Sequence, residues 1–190
     1  MKLETKRLIL RKHKMSDWED LVEGIGNYDV AKMITKVPYP YTKKDAEYYI
    51  KKRLKIWKKK VIDDYVFVME LKSEKKVIGA IGLHKVNFFH GVGTTSSWVN
   101  KKYWRKGYAT EAKIAINDFA FNELKLRRIE SGSFSNNIAS NALQLKMGFK
   151  FEGTKRKNVR CMTTGKIHDE NIYGLMKEEW KKARSKLIKK

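Results

Sequence analysis

Tyr103-Trp104-Arg105-Lys106-Gly107-Tyr108-Ala109-Thr110-Glu111-Ala112 lies between a predicted strand ending at Trp98-Val99-Asn100 and a predicted helix running to Glu123. From Arg105 to Ala109 the segment has the form Arg-x-Gly-x-Ala, with small residues beside a helix start. Gly107 permits an unusual φ or a close backbone approach. The free amides of a helix N-terminus accept an oxyanion, and Arg105 and Lys106 add positive charge. The loop therefore suits a pyrophosphate. It is not a P-loop, which ends in Gly-Lys-Ser/Thr, and it is not a dinucleotide fingerprint. A glycine in a strand-to-helix turn also serves purely structural ends, so the flanking sequence has to decide.

Toward the N-terminus, Leu8 to Arg11 predicts a short strand. Ser16 and Glu19 have capping-box spacing, and Trp18, Leu21, Val22 and Ile25 fall on one helical face. A short helix is expected around Val30 to Ile34, before Pro38-Tyr39-Pro40 interrupts the chain. Thr42 and Asp45 repeat the capping-box pattern and open a long helix whose buried stripe is Ala46, Tyr49, Ile50, Leu54 and Trp57. Val61 to Leu71 and Val77 to Leu83 read as a hairpin around the polar turn Lys72-Ser73-Glu74-Lys75. Toward the C-terminus, Ala112, Ala115, Ile116, Phe119 and Ala120 form one helical face. Then come a strand over Arg128 to Phe134, a helix over Ile138 to Met147, a strand to about Arg160 and a last strand over Asn171 to Met176. Hairpins thus flank a central β-α-β-α unit, which predicts an α+β fold with a mixed sheet. The expected organisation is one domain over 1–180 and a basic tail over 181–190.

Composition narrows the classes. The 190 residues carry 43 Lys+Arg against 21 Asp+Glu, a formal charge of +22, with 42% hydrophobic residues. That is enough to build a core without staples. A lone cysteine, Cys161, excludes a disulfide framework and a multi-cysteine zinc module, and no metal is expected. No apolar run reaches membrane-span length and no signal-peptide core follows the N-terminus, so a cytoplasmic protein without a membrane partner is expected. The charge suits anionic partners, although Lys rather than Arg dominates it.

The Tyr103–Ala112 segment resembles the GNAT acyltransferase superfamily, whose acetyl-CoA motif reads Gln/Arg-x-x-Gly-x-Gly/Ala. Trp104 stands in the Gln/Arg slot, Gly107 and Ala109 in the small-residue slots. This departure is similar to the RimJ/RimL-like N-acetyltransferases, which write the segment as Tyr-Trp-Gly/Arg-Lys-Gly-Tyr-Ala-Thr-Glu-Ala. The resemblance continues through Glu4–Arg11, Phe119–Glu130, Asn137–Asn141 with Lys146–Phe149, and Asp169–Leu175 with Glu178-Glu179-Trp180. It implies the GNAT (acyl-CoA N-acyltransferase) fold, with a central sheet splayed around acetyl-CoA and flanking helices. It further implies that Trp98, Val99 and Asn100 pair with the pantetheine arm. The amides of Arg105, Lys106, Gly107, Tyr108, Ala109 and Thr110 would hold the pyrophosphate, Asn137 would contact the cofactor arm, and Ser140 would lie near the thiol. Asn137 and Ser140 also have plain structural readings, as helix cap and small helix residue.

The reaction implied is direct attack of an amine on the thioester, with CoA as product. Two slots depart from the family. Gln144 stands where many members carry a Tyr acid, and Thr94 where RimJ/RimL-like members often carry Glu. The base is therefore missing or relocated; Asp169, His84 and His90 are candidates, with Tyr173 as a wall or hydrogen-bond donor. An α-amine, with a pKa near 7.8, is partly neutral at pH 7, whereas deprotonating a Lys amine costs about 4.6 kcal/mol there. The expected acceptor is a protein or peptide N-terminus, as on ribosomal proteins. Small amines such as polyamines or antibiotics, or a catalytically impaired acyl-CoA-binding protein, are the alternatives. A transient ribosome association and a homodimer are compatible with the sequence.

Overall fold

The computed structural model describes residues 1–188. Eight strands form one sheet: β1 (Lys2–Glu4), β2 (Leu8–Arg11), β3 (Tyr65–Leu71), β4 (Lys76–Asn87), β5 (Val92–Val99), β6 (Arg128–Phe134), β7 (Lys150–Arg160) and β8 (Ile167–Met176). Their order is β1-β2-β3-β4-β5-β6-β8-β7. Helices α1 (Trp18–Ile25), α2 (Tyr28–Ala31) and α3 (Lys43–Ile56) follow β2, and α4 (Tyr108–Asp118), extended by a π-helical turn over Phe119–Glu123, lies between β5 and β6. Helix α5 (Ile138–Lys146) precedes β7, and α6 (Lys177–Ile188) ends the described chain. No described helix is long and apolar enough to cross a membrane.

Every neighbouring pair is antiparallel except β5 and β6. Those two pair only at Val92↔Arg128, Gly93↔Ile129 and Thr94↔Glu130. Beyond Thr94, β5 stays with β4 as far as Gly79↔Val99, while β6 follows β8 to Phe134↔Glu170. The two strands therefore splay. At the branch point the Ser131 hydroxyl donates to the Thr95 carbonyl at 3.3 Å, so a side chain takes over where the backbone ladder stops. This is the expected mixed α+β sheet with its central opening.

The two faces of the sheet bury different helices. Ile81, Leu83 and Ile129 pack with Ala112, Ile116 and Phe119 of the α4 segment and with Trp180 of α6. Val68 and Val77 pack with Leu21 of α1 and Ala46 and Ile50 of α3. Trp57 departs from the expected stripe: it leaves the α3 face and packs against Tyr65 and Phe67. The Thr42–Asp45 capping box forms as expected, but Ser16 does not cap α1. A 3-10 turn over Met15–Asp17 precedes that helix, and Asp17 accepts both the Lys14 amide and the Arg11 guanidinium. The carboxylate, able to take a charged partner, outcompetes the hydroxyl.

Strand β3 begins at Tyr65 rather than Val61, because Asp63 and Asp64 are engaged elsewhere. Helix α6 runs through the boundary expected at 180/181. Ala183 and Leu187 pack against the core and Arg184 pairs with Asp118 at 2.7 Å, so the basic segment is fold as far as these residues. Lys189 and Lys190 lie outside the described residues.

Lys113 is the anomaly of the core. It lies fully buried on α4 with no hydrogen-bond partner for its ammonium, 5.6 Å from the centre of the Phe149 ring. One turn on, Asn117 is equally buried with both side-chain polar atoms unpartnered. Burial lowers the Lys113 pKa from 10.5 to about 7. Between those values the unfolded chain holds a proton that the folded chain does not, so this contribution to stability grows as pH rises through the window. Lys113→Met should raise Tm by about 5 °C at pH 7, and the gain should shrink toward pH 10 in calorimetry. An equal gain at both pH values would show that desolvation of the ammonium is not the cause.

Candidate active site

The 103–112 loop is built by two left-handed residues and one anchor. Asn100 caps the turn after β5 by accepting the Lys102 amide at 3.0 Å. Arg105 has φ 61° and Gly107 φ 82°, and Gly107 is the N-cap of α4. The amides of Tyr108, Ala109 and Thr110, in the first helical turn, have no intrahelical acceptor. Glu111, one residue on, fastens this turn to the β1–β2 connection. It accepts the Thr5 hydroxyl at 2.6 Å, the Arg7 amide at 2.7 Å and Arg7 Nε at 2.6 Å. Arg7 then donates to the Lys106 carbonyl at 2.9 Å and lies over the Tyr108 ring at 4.3 Å. Arg105, Lys106 and Gly107 are exposed. The result is a rigid, basic helix start with outward-facing donors, at the end of β5 where the sheet has opened.

Of the strand residues, Trp98 leans onto Gly24 of α1, where a Cβ would come within 2.8 Å of the indole. The Val99 carbonyl accepts the Trp104 indole N–H at 2.7 Å. Asn100 is buried, and its amide also reaches Glu23 at 3.3 Å. Its side chain is thus spent on the turn, and its backbone is engaged as well: its main-chain amide donates to the Ile78 carbonyl at 2.8 Å and its carbonyl accepts the Tyr103 amide at 2.9 Å.

On the other side of the opening, Asn137 caps α5 by accepting the Ser140 amide at 3.1 Å. The Ser140 hydroxyl, half-buried, has no hydrogen bond among the described residues. The structural hub here is Asn141, which sequence reasoning quoted but gave no role. It donates to the Phe134 and Ser135 carbonyls at 3.2 and 3.0 Å, and its Oδ1 accepts from the Tyr173 hydroxyl at 2.9 Å. The buried Tyr173 thus braces α5 against the end of β6. The signal for this role, a second Asn one turn after the cap, was present in the sequence.

The base candidates separate by position. His90 lies in the β4–β5 turn, at the end of β5 away from the opening, and its amide bonds Asn87. Asp169 is committed to structure: its carboxylate accepts the Lys157 amide at 2.7 Å and its carbonyl accepts the Ser135 amide at 2.9 Å. Neither stands beside a free group. His84 does. In the β4–β5 ladder it lies directly opposite Thr94, and Thr94 is paired in turn with Glu130.

His84 Nδ1 is 2.7 Å from Asp64 Oδ1, and Nε2 is 2.8 Å from the Ser96 hydroxyl. Asp64 is also held by Arg53 at 2.6 Å. Burial acts to raise the Asp64 pKa, but its bond to His84 and the charge of Arg53 outweigh this and hold it below the usual carboxylate value. An ionised carboxylate only accepts, so Nδ1 carries a hydrogen and Nε2 of the neutral ring is left as the acceptor. Sequence reasoning named His84 but missed Ser96 and the orienting role of Asp64, since both depend on strand register. Tyr49, Val66, Ala80, Gly82, Trp98 and the His84–Ser96 pair line a cleft of about 40 Å³, room for an amino group and little more. Glu130, the other carboxylate of this row, is tied to Arg128, which also holds Glu152.

Cys161 is buried and donates to the Lys32 and Ile34 carbonyls at 3.5 Å, an anchor for the α2 turn. Among the described residues no group of three His, Cys, Asp or Glu could hold a metal ion.

The comparisons with known proteins agree with this architecture. The chain is 32% identical over 182 residues to the uncharacterized N-acetyltransferase YnaD of Bacillus subtilis, covering 95% of this chain and 99% of that one. A GNAT-family acetyltransferase structure from Bacillus anthracis superposes with a TM-score of 0.79 at 29% identity, over 94% of this chain and 99% of its own. The ribosomal-protein-S5-alanine acetyltransferase of Vibrio fischeri shares the fold, with a TM-score of 0.80 at 20% identity, over 95% and 98% of the two chains. Residues 7–150, which hold the fastened loop, the opened strands and the whole of α5, match the acetyltransferase (GNAT) domain family, and the chain therefore belongs to the GNAT acetyltransferases.

Proposed function

We propose that this enzyme transfers the acetyl group of acetyl-CoA to a primary amine, with His84 as general base, and that its preferred acceptor is the α-amine of a protein or peptide N-terminus. The observation that carries the reading is the Asp64–His84–Ser96 chain of hydrogen bonds, next to the Thr94 slot and beside the split strands. Acetyl-CoA is the acyl donor of the family and supplies an activated thioester. The first-turn amides of α4, with Arg105 and Lys106, suit its pyrophosphate. The edge of β5 past the end of its ladder with β6, at Trp98 and Val99, suits its amide-bearing arm, with Asn137 and Ser140 on the facing wall.

The attacking nitrogen has to lose a proton as it bonds to the acetyl carbon. Ser96 and His84 are placed to take it, the hydroxyl passing a proton to Nε2 while Asp64 stabilises the imidazolium. The thiolate leaves hydrogen-bonded to the Ser140 hydroxyl or to a water on it, and takes its proton from solvent. A base in place removes the argument that only an already neutral amine could react, but the choice of acceptor still follows from proton affinity. An α-ammonium near pKa 7.8 passes its proton to an imidazole more easily than a Lys ammonium near 10.4, by about 3.5 kcal/mol. The narrow cleft admits the amino group and leaves the remainder of the acceptor outside, which suits a chain end.

Gly107→Val should weaken acetyl-CoA binding at least tenfold in calorimetry, because a side chain at φ 82° strains the loop; unchanged affinity would take the loop out of the site. His84→Ala should lower kcat/KM by roughly a hundredfold or more with acetyl-CoA affinity intact, as expected on removing a general base. Asp64→Asn should cost about tenfold and change the pH profile. A fully active His84→Ala enzyme would place the base elsewhere. In a thiol-release assay, peptides beginning with Ser, Ala, Thr or Met should exceed spermidine and N-blocked Lys peptides at least tenfold in kcat/KM, with the acetyl group on the α-nitrogen by mass spectrometry. The reverse preference would leave the acetyltransferase standing and remove the protein acceptor.

A further inference from the structure

We infer that the outer face of α3 and the turn after it form an RNA-binding surface, separate from the cleft on the inner side of the same helix. Residues 43–60 contain nine Lys and Arg among 18, whereas the whole chain has 43 among 190. The local density is about twice the average, so a Lys-rich composition alone does not account for it. The capping box fixes the start of α3, and burial of Ala46 and Ile50 fixes its rotation. Lys44, Lys51, Lys52 and Lys55 are thereby turned to solvent, with Lys58, Lys59 and Lys60 continuing from the helix end. Lys44, Tyr48, Lys51, Lys52 and Lys55 follow helical spacing, so they form one stripe, in which Tyr48 occupies the turn between Lys44 and the Lys51–Lys52–Lys55 group.

Few of these charges are neutralised locally. Lys43 is 3.8 Å from Glu47 and Lys59 is 3.3 Å from Asp63. Among the described residues Lys44, Lys51, Lys52, Lys55, Lys58 and Lys60 have no ion-pair partner. The single arginine, Arg53, points inward to Asp64. A row of unpaired ammonium groups is an electrostatic match for a phosphate backbone, and its gain comes from counterion release.

The aromatic in the stripe distinguishes RNA from an anionic membrane. Tyr48 is 70% exposed in the middle of the lysines, where its ring can stack on an unpaired base. A membrane-surface helix would instead present a continuous apolar face. The apolar residues of α3 are turned into the protein, packed on Leu21, Val68 and Val77. The proposal holds whether or not the acceptor is a protein N-terminus.

The test is fluorescence anisotropy of the full chain with a 20-nucleotide single-stranded RNA and a 20-base-pair RNA duplex, between 50 and 200 mM KCl. Vesicles of phosphatidylserine in phosphatidylcholine provide the competing arm. Lys51→Glu with Lys52→Glu and Lys55→Glu should weaken RNA binding at least tenfold and lower the salt slope by about 2 to 3. The Gln versions should weaken it in the same order but less. Lys155→Glu with Arg156→Glu and Lys157→Glu, exposed on β7, make the same charge change and should cost less than threefold. Tyr48→Ala should weaken the single strand and spare the duplex. Acetylation of a free peptide should keep its kcat/KM in the α3 variants, so failure of RNA binding and failure of the acetyltransfer reading give different results. Equal losses in the α3 and β7 variants, absence of RNA binding at 150 mM KCl, or tighter binding to vesicles than to RNA would overturn the proposal.

Discussion

The early end of the β5–β6 ladder is the constraint on which the molecule turns. A parallel pair usually continues until one strand runs out of residues. Here it stops after Thr94↔Glu130, although both strands continue for several residues. Each has a better partner on its other side, β4 for β5 and β8 for β6. The sheet's twist is thereby carried by two antiparallel halves that share only a short parallel hinge. Backbone groups past the hinge, on the inner edges, are left for something other than the sheet. Buried unpaired backbone is costly, so such an opening persists only where water, side chains or a ligand serve it. Ser131 serves Thr95 at the branch, and the Trp104 indole serves Val99.

Everything chemically interesting is arranged around that opening, and each part is held from outside it. The α4 start is fixed by Glu111 and Arg7 from the N-terminal edge. The α5 start is fixed by Asn141 and Tyr173 from β8. His84 is fixed by Asp64, which Arg53 of α3 holds in place. In each case the group that would face a ligand is held by a neighbour that does not. Such support costs no reorganisation when a substrate arrives, which is how preorganised sites lower a barrier.

How much of this was legible in the sequence depended on the range of the interaction. Local devices were readable: the Thr42–Asp45 box, the glycine at the start of α4, and the polar turn that joins β3 to β4. The fold followed from motif order, because the 103–112 segment and the Asn137–Phe149 segment resemble one family in the correct sequence. What could not be read was register. Asp64 and Ser96 are far apart in the chain and become partners of His84 only because Tyr65 pairs with Leu83 and His84 with Thr94. The fate of Ser16 and Asp17 was hidden for a similar reason, since Arg11 decides between them. Lys113 violates the pattern outright: an amphipathic reading of α4 puts a charged residue outside, and the fold puts it inside.

The charge distribution resolves an apparent conflict in the composition. A net charge of +22 would repel an ammonium acceptor if it acted uniformly. It does not. Asp64 and Glu130 occupy the row across the sheet that contains His84 and Thr94, and the nearest cations, Arg53 and Arg128, are bound to those carboxylates. The unpaired lysines of α3 lie on its solvent side, where mobile counterions screen them within about 8 Å at physiological salt. Groups next to the cleft interact with an entering amine at shorter range and with less screening. On the proposed reading, the global charge would govern which large anionic surfaces the protein approaches, and the local row which amine enters the cleft.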